Sequence, residues 1–198
     1  MLEKQNLKDK FVFFWNNRNA RRKLSGSLIY WFKKFCDEIG HDKAVLLMHT
    51  DPKDPYGQDL DHLMNHFGVN NGQVRISREK VGPDHLAMMY NLADCTVNIS
   101  DAEGFGLATL ESLSQQVPYI FEDRVSEEDV ISAFKKMYEM SEEDRKALGQ
   151  AGRNHVQKNY NFADYQKRWV EVMDGAHEKH GSWENRKNYS PWTLKKIL

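Results

Sequence analysis

A chain of 198 residues with 40% hydrophobic, 12% aromatic and 29% charged residues has the composition of an ordinary globular protein, which excludes disordered, fibrous and disulfide-stapled classes. Its 28 Lys and Arg against 29 Asp and Glu leave no global field toward nucleic acid or an anionic membrane, so any anion site must be local. Cys36 and Cys95 fall in apolar helix and strand patterns without metal-ligand or redox spacing, which fits a reducing compartment. No charged-then-apolar leader opens the chain, and no run approaches the ~20 apolar residues a membrane span needs, so the expected location is cytoplasmic.

In chain order, Phe11-Val-Phe-Phe-Trp15 reads as a strand, and Leu24 to Ile39, with Leu28, Trp31, Phe32 and Phe35 at helical spacing, as an amphipathic helix. Ala44 to His49 predicts a second strand, followed by a loop from Thr50 to Gly57 and a helix through Leu60, Leu63, Met64 and Phe67 that Gly68 stops. Gln73 to Ser77 is a third strand, and Pro83 opens the next helix, where a missing N–H does no harm. Asp94 to Ile99 predicts a fourth strand, Leu107 to Gln115 a helix and Val117 to Phe121 a fifth strand. Strand and helix alternate about five times in roughly 110 residues, which demands a parallel sheet covered by helices on both faces. Ser126 and Ser141 each stand as a capping serine before acidic first-turn residues. The expected organisation is a domain over residues 1–175 and a polar tail over 176–198 that ends in a short amphipathic segment.

Ligands of an open parallel sheet bind at the carboxyl ends of its strands. The fourth strand ends at Ser100 and runs into Asp101-Ala-Glu-Gly-Phe-Gly106, a turn whose glycines let backbone N–H groups approach a phosphate at a helix N-terminus. Glu103 and Glu111 stand near that same helix end. A carboxylate accepts two hydroxyl hydrogen bonds in a fork, so this pair suits a hexose and a ribose on either side of a diphosphate; a solvated Glu111 and a capping Glu103 are the bland alternative. At the end of the first strand, Asn16-Asn-Arg-Asn-Ala-Arg-Arg-Lys23 places Arg18, Arg22 and Lys23 where cations are disfavoured unless an anion joins them.

The string from Val81 to Ile120 resembles the donor-site half of glycosyltransferase family 4, retaining enzymes of GT-B architecture with a signature of two glutamates separated by seven residues, matched by Glu103 and Glu111. The resemblance spans roughly residues 8 to 175 and implies a Rossmann-like, doubly wound α/β fold equivalent to the C-terminal half of a GT-B enzyme. It implies transfer of a sugar from a nucleoside-diphosphate sugar to an acceptor with retention; the alternative is a non-catalytic nucleotide-sugar-binding or partner-binding module that lacks the acceptor domain. By the same resemblance Glu103 is expected to contact the donor sugar, Glu111 to hold the ribose hydroxyls, and Arg18 and Lys23 to stabilise the leaving diphosphate, with Arg22 beside them. Gly104, Phe105, Gly106, Leu107 and Thr109 line sugar and phosphate, and backbone groups near Arg75 and Ile76 hold the base. The same strings resemble members that use GDP-mannose. Neither a metal ion nor another cofactor is expected.

The family carries an acceptor-binding domain before this half, whereas the present chain starts almost at the first strand, so the expectation is either a separate acceptor-domain subunit as partner or a missing N-terminal domain. Phe121-Glu-Asp-Arg124 also leads almost directly to Ser126 where the family has a further strand-helix step, and Gln116 stands where a glycine is usual. His62 and His66, four apart on one helix, are read as solvated and not as metal ligands. His49 and His85 lie near the ligand edge. Trp183, Tyr189 and Trp192 with Lys187, Lys195 and Lys196 are read as a tail packing on its own domain, membrane contact being the alternative.

Overall fold

The structure, a computed structural model, describes residues 7, 9–101, 106–115, 126–182, 185 and 187, and the backbone of 119–122. Five strands, β1 (Phe11–Asn16), β2 (Ala44–His49), β3 (Val74–Ser77), β4 (Cys95–Ile99) and β5 (Tyr119–Glu122), form one sheet in the order β3-β2-β1-β4-β5. Every pairing is parallel. The helices between them are α1 (Ser25–Ile39), α2 (Leu60–Phe67), α3 (Pro83–Asn91) and α4 (Leu107–Ser114), and α5 (Glu127–Glu139), α6 (Glu142–Asn159) and α7 (Phe162–His180) follow. This is the doubly wound α/β fold.

β1 lies at the centre of the sheet, which is why Phe-Val-Phe-Phe-Trp is apolar without alternation: both of its faces are covered. Successive side chains still point to opposite sides. Phe11, Phe13 and Trp15 enter the core under α1, α2 and α5, whereas Val12 and Phe14 join Val45, Leu47 and Tyr90 on the side of α3. On the first side Phe13 meets Phe32, Phe35 and Phe134 edge-on at centroid distances of 6.0, 5.7 and 4.7 Å, a geometry that suits the aromatic quadrupoles. Cys36 and Cys95 are both buried as free thiols, and burial pushes the Cys36 thiol up to about 12, so neither is poised to react.

The element ends follow local chemistry. Gly68 closes α2 at φ 69, a left-handed conformation glycine adopts freely, and Ser126 and Ser141 accept the N–H groups of Asp129 and Asp144 at 3.1 and 3.0 Å. One start differs from expectation: Arg21–Lys23 make a separate 3-10 turn, and Leu24 at φ 51 bends the chain before α1 begins at Ser25. Among the described residues Leu24 is the one non-glycine with positive φ, a strained position beside the candidate site.

The chain divides into two compact units between Val156 and Gln157. α7 belongs to the second and runs unbroken through residue 175 to His180. The polar stretch after Asp174 is therefore a continuing helix over these residues, with Gly175 tolerated inside it, and not the start of an irregular tail. α7 has no buried residue, and Phe162, Tyr165, Trp169, Val172 and Met173 are exposed. Tyr189 to Leu198 and Trp183 lie outside the described residues, as do 116–118 and 123–125.

Candidate functional site

β1 is where the strand order reverses. The chain leaves β1 toward α1 on one face and leaves β4 toward α4 on the other, and it is above the carboxyl ends of strands at such a reversal that open α/β sheets have their ligand crevice. What lines it comes from four elements.

The loop after β1 is built around Asn19, which is fully buried. Its Nδ2 donates to the carbonyls of Pro52 and Gln58 at 3.3 and 2.7 Å, and its Oδ1 accepts the Ser25 hydroxyl at 2.6 Å. Asn19 thus ties this loop to the one between β2 and α2. Gly57 packs so closely that a Cβ there would lie 1.9 Å from the Asn19 carbonyl oxygen. With Asn19 turned inward, Arg18 is turned outward: its Nε and Nη2 fork onto Asp54 at 2.6 and 3.2 Å, and its guanidinium lies 5.0 Å from the Tyr56 ring centroid. That pairing lifts the Arg18 pKa and holds the Asp54 carboxyl below its usual range. Lys23 is only 5% exposed, and burial, with the Arg22 charge adding, pulls its pKa down to about 8. The Arg22 carbonyl accepts the Ser100 hydroxyl at 3.1 Å and the Asp101 N–H at 2.8 Å, so the loops after β1 and β4 are joined directly.

On the α3–α4 side of the crevice a row of polar groups replaces the apolar core. Glu111, in the second turn of α4, accepts the Tyr90 hydroxyl at 2.8 Å and Asn16 Nδ2 at 3.2 Å, both on Oε2. Tyr90 sits on α3 with its ring edge-on to Phe14, and its side chain leans back toward the carboxyl edge, as helical side chains do. Beside it Asn17 donates to Asn98 at 3.1 Å, and Asn98 to the Thr109 hydroxyl at 2.5 Å; Thr96 and Ser112 form another hydroxyl pair. Gly106 caps α4 at φ 74. Among the described residues a Cβ there would meet nothing closer than 3.5 Å, and its left-handed conformation calls for glycine. Its carbonyl takes the N–H of Thr109, and Leu107 is exposed at the helix start.

Toward the other end of the edge, His49 Nδ1 lies 3.0 Å from the Ser77 hydroxyl, with the imidazole pKa lowered by burial. Arg75 and Ile76 lie in β3 opposite Leu47 and Met48; Arg75 Nε reaches the Gly72 carbonyl at 3.4 Å, and Ile76 packs on the main core.

Arg18, Arg22 and Lys23 thus stand on the loop after β1 and Gly106, Leu107, Thr109 and Glu111 in the first turns of α4, at the carboxyl edge of the sheet, whereas Arg75 and Ile76 lie within β3 with Arg75 reaching back to Gly72, and Glu103, Gly104 and Phe105 lie outside the described residues. His62 and His66 stack on α2 at 6.4 Å and His85 is exposed on α3. Among the described residues no three His, Cys, Asp or Glu side chains converge as metal ligands. Asn19, Asp54, Tyr90 and Asn98 escaped the sequence reading. Asn98 carried a signal, a carboxamide inside an otherwise buried strand, which must find partners there.

No protein-family model matches the chain, and no curated protein matches it. Solved structures do. Sucrose-phosphate synthase from Thermosynechococcus elongatus superposes with a TM-score of 0.76 at 18% identity, over 89% of this chain and 48% of that one. The Anabaena protein HepE in complex with UDP and glucose gives 0.74 at 11% identity, over 88% and 51%. The C-terminal domain of a glycosyl transferase group 1 family protein from Francisella tularensis gives 0.67 at 14% identity, over 81% and 91%. The chain thus spans about half the length of the first two and nearly all of the third. At these identities the likeness establishes the fold: the chain has the Rossmann-like α/β architecture of the GT-B glycosyltransferase domain.

Proposed function

We propose that this chain binds a nucleoside-diphosphate sugar at the crevice above β1 and β4 and acts as the donor half of a retaining glycosyltransferase. The observation that carries the reading is the orientation of Glu111. Tyr90 and Asn16 both engage Oε2 and so hold the carboxylate in place, its other oxygen being a hydroxyl acceptor in chemistry, at the same sheet edge as the loop that carries Arg18, Arg22 and Lys23. In this reading Glu111 takes the ribose hydroxyls, and the carbonyl and N–H groups around Arg75 and Ile76 take the base. Arg18 and Lys23, with Arg22 beside them, stabilise the charge that develops on the leaving diphosphate, so electrostatics carries most of the catalysis without a metal ion. Glu103 orients the hexose, Gly104 to Leu107 offer backbone groups to sugar and phosphate, and Thr109, already holding Asn98, lines the same wall.

A guanosine base is favoured by the motif resemblance to users of GDP-mannose, while HepE was captured with UDP and glucose. The acceptor is contributed by a part outside these residues or by a partner subunit. Calorimetric titration with GDP, UDP and ADP, repeated on Glu111→Ala and Arg18→Ala, tests the reading. Binding of one nucleotide, weakened by ~1–3 kcal/mol in both variants, is the expected result for loss of a charged hydrogen-bond partner. Absence of binding by all three overturns it.

A further inference from the structure

Arg18 is not waiting in solvent; it is already occupied. Its fork rests on Asp54 at 2.6 and 3.2 Å, the planar two-point geometry with which an arginine also grips a phosphate. A phosphate and this carboxylate therefore compete for the same two N–H groups.

The two partners are not equally free to move. Asp54 Oδ1 accepts the Tyr56 N–H at 2.9 Å and the Asp54 carbonyl accepts the Gly57 N–H at 2.9 Å. The Tyr56 carbonyl takes the Arg21 N–H at 3.1 Å, and Asn19 clamps the neighbouring Pro52 and Gln58 carbonyls. Asp54 is accordingly fixed, its side chain 10% exposed, whereas the Arg18 side chain is 61% exposed and swings on a long flexible stem. Tyr56 offers the guanidinium a flat resting face.

Building on the nucleotide-sugar reading, we propose that Asp54 is an intramolecular counter-anion that exchanges with the diphosphate on Arg18, a specificity-determining residue that holds diphosphate affinity down. A diphosphate displaces the carboxylate because it brings more charge than a single carboxylate and meets Lys23 and Arg22 in the same loop. When the sugar has left, Asp54 recaptures Arg18 and so favours release of the nucleoside diphosphate. A bare nucleoside, with no phosphate for Arg18, does not feel the exchange.

The test uses inorganic pyrophosphate and the nucleoside diphosphate as titrants against the whole chain, its Asp54→Asn variant, Arg18→Ala and the double variant. Asparagine keeps an oxygen for the Tyr56 N–H but loses the charge, so the loop is retained; Asp54→Ser, whose hydroxyl serves the same turn, stands in should Asp54→Asn fail to fold. The expected result is three- to tenfold tighter pyrophosphate binding in Asp54→Asn, unchanged nucleoside binding, and disappearance of the gain in the Arg18→Ala background. An unchanged or weaker pyrophosphate affinity, or an equal gain without Arg18, overturns the exchange. Nucleotides that bind through Glu111 while Asp54→Asn is silent sink the exchange alone. Pyrophosphate that tightens while Glu111→Ala leaves nucleotide binding untouched supports the exchange and removes the nucleotide reading.

Discussion

Lys23→Met separates stability from binding at this site. Lys23 is 5% exposed and its pKa stands at about 8 instead of 10.5, so the fold holds an ammonium group that it disfavours. At about 1.4 kcal/mol per tenfold change in proton affinity, keeping that charge inside at pH 7 costs about 3 kcal/mol. Methionine keeps the apolar stem and drops the charge, less whatever polar contact the ammonium makes, so the variant gains about 1–3 kcal/mol at pH 7. Between pH 8 and 10.5 the unfolded chain binds the proton that the folded chain has shed, so the parent protein's stability rises with pH through that window and the variant's advantage fades.

Denaturant unfolding at pH 7, 8.5 and 10 reads this directly. If Lys23 serves the diphosphate as proposed, binding moves the other way: the parent's affinity falls above pH 8, where the amine loses its charge, and the variant binds weakly at every pH. A variant less stable than its parent at pH 7, or a stability difference that stays flat to pH 10, refutes the argument that burying this charge costs stability.

Two further substitutions probe the parts that position the site. Tyr90→Phe removes the hydroxyl on Glu111 Oε2 and leaves Asn16 in place; nucleotide binding weakens by about 1 kcal/mol, roughly fivefold by calorimetry, and an unchanged affinity shows that Glu111 needs no such support. Gly57→Ala drives a methyl into the Asn19 carbonyl at 1.9 Å. It costs about 1–3 kcal/mol in thermal unfolding and lowers diphosphate affinity as the loop bearing Arg18 shifts. Gly82→Ala, with nothing among the described residues within 4 Å of the new Cβ, stays within about 0.5 kcal/mol of the parent and serves as its control.

Local order was legible because its signals are local. An uninterrupted apolar run marks a central parallel strand, three-and-four spacing marks α1, Gly68 marks a helix end, and Ser126 and Ser141 mark helix starts. The chemistry of Glu111 and of the basic loop was readable as residue types at a sheet edge. Their partners were not. Glu111 meets Asn16 across 95 positions and Tyr90 across 21, and Arg18 meets Asp54 across 36, with no period linking them. The burial of Lys23 was equally invisible, because the desolvation of an ammonium group depends on what closes over it and not on its neighbours in sequence. The amino-acid order by itself determined which segments become strands and helices and that they stack as a parallel sheet, since hydrophobic period and capping act within a few residues. Only the tertiary structure decided which polar groups meet at the edge and which cation is buried or already engaged, since those are outcomes of long-range packing.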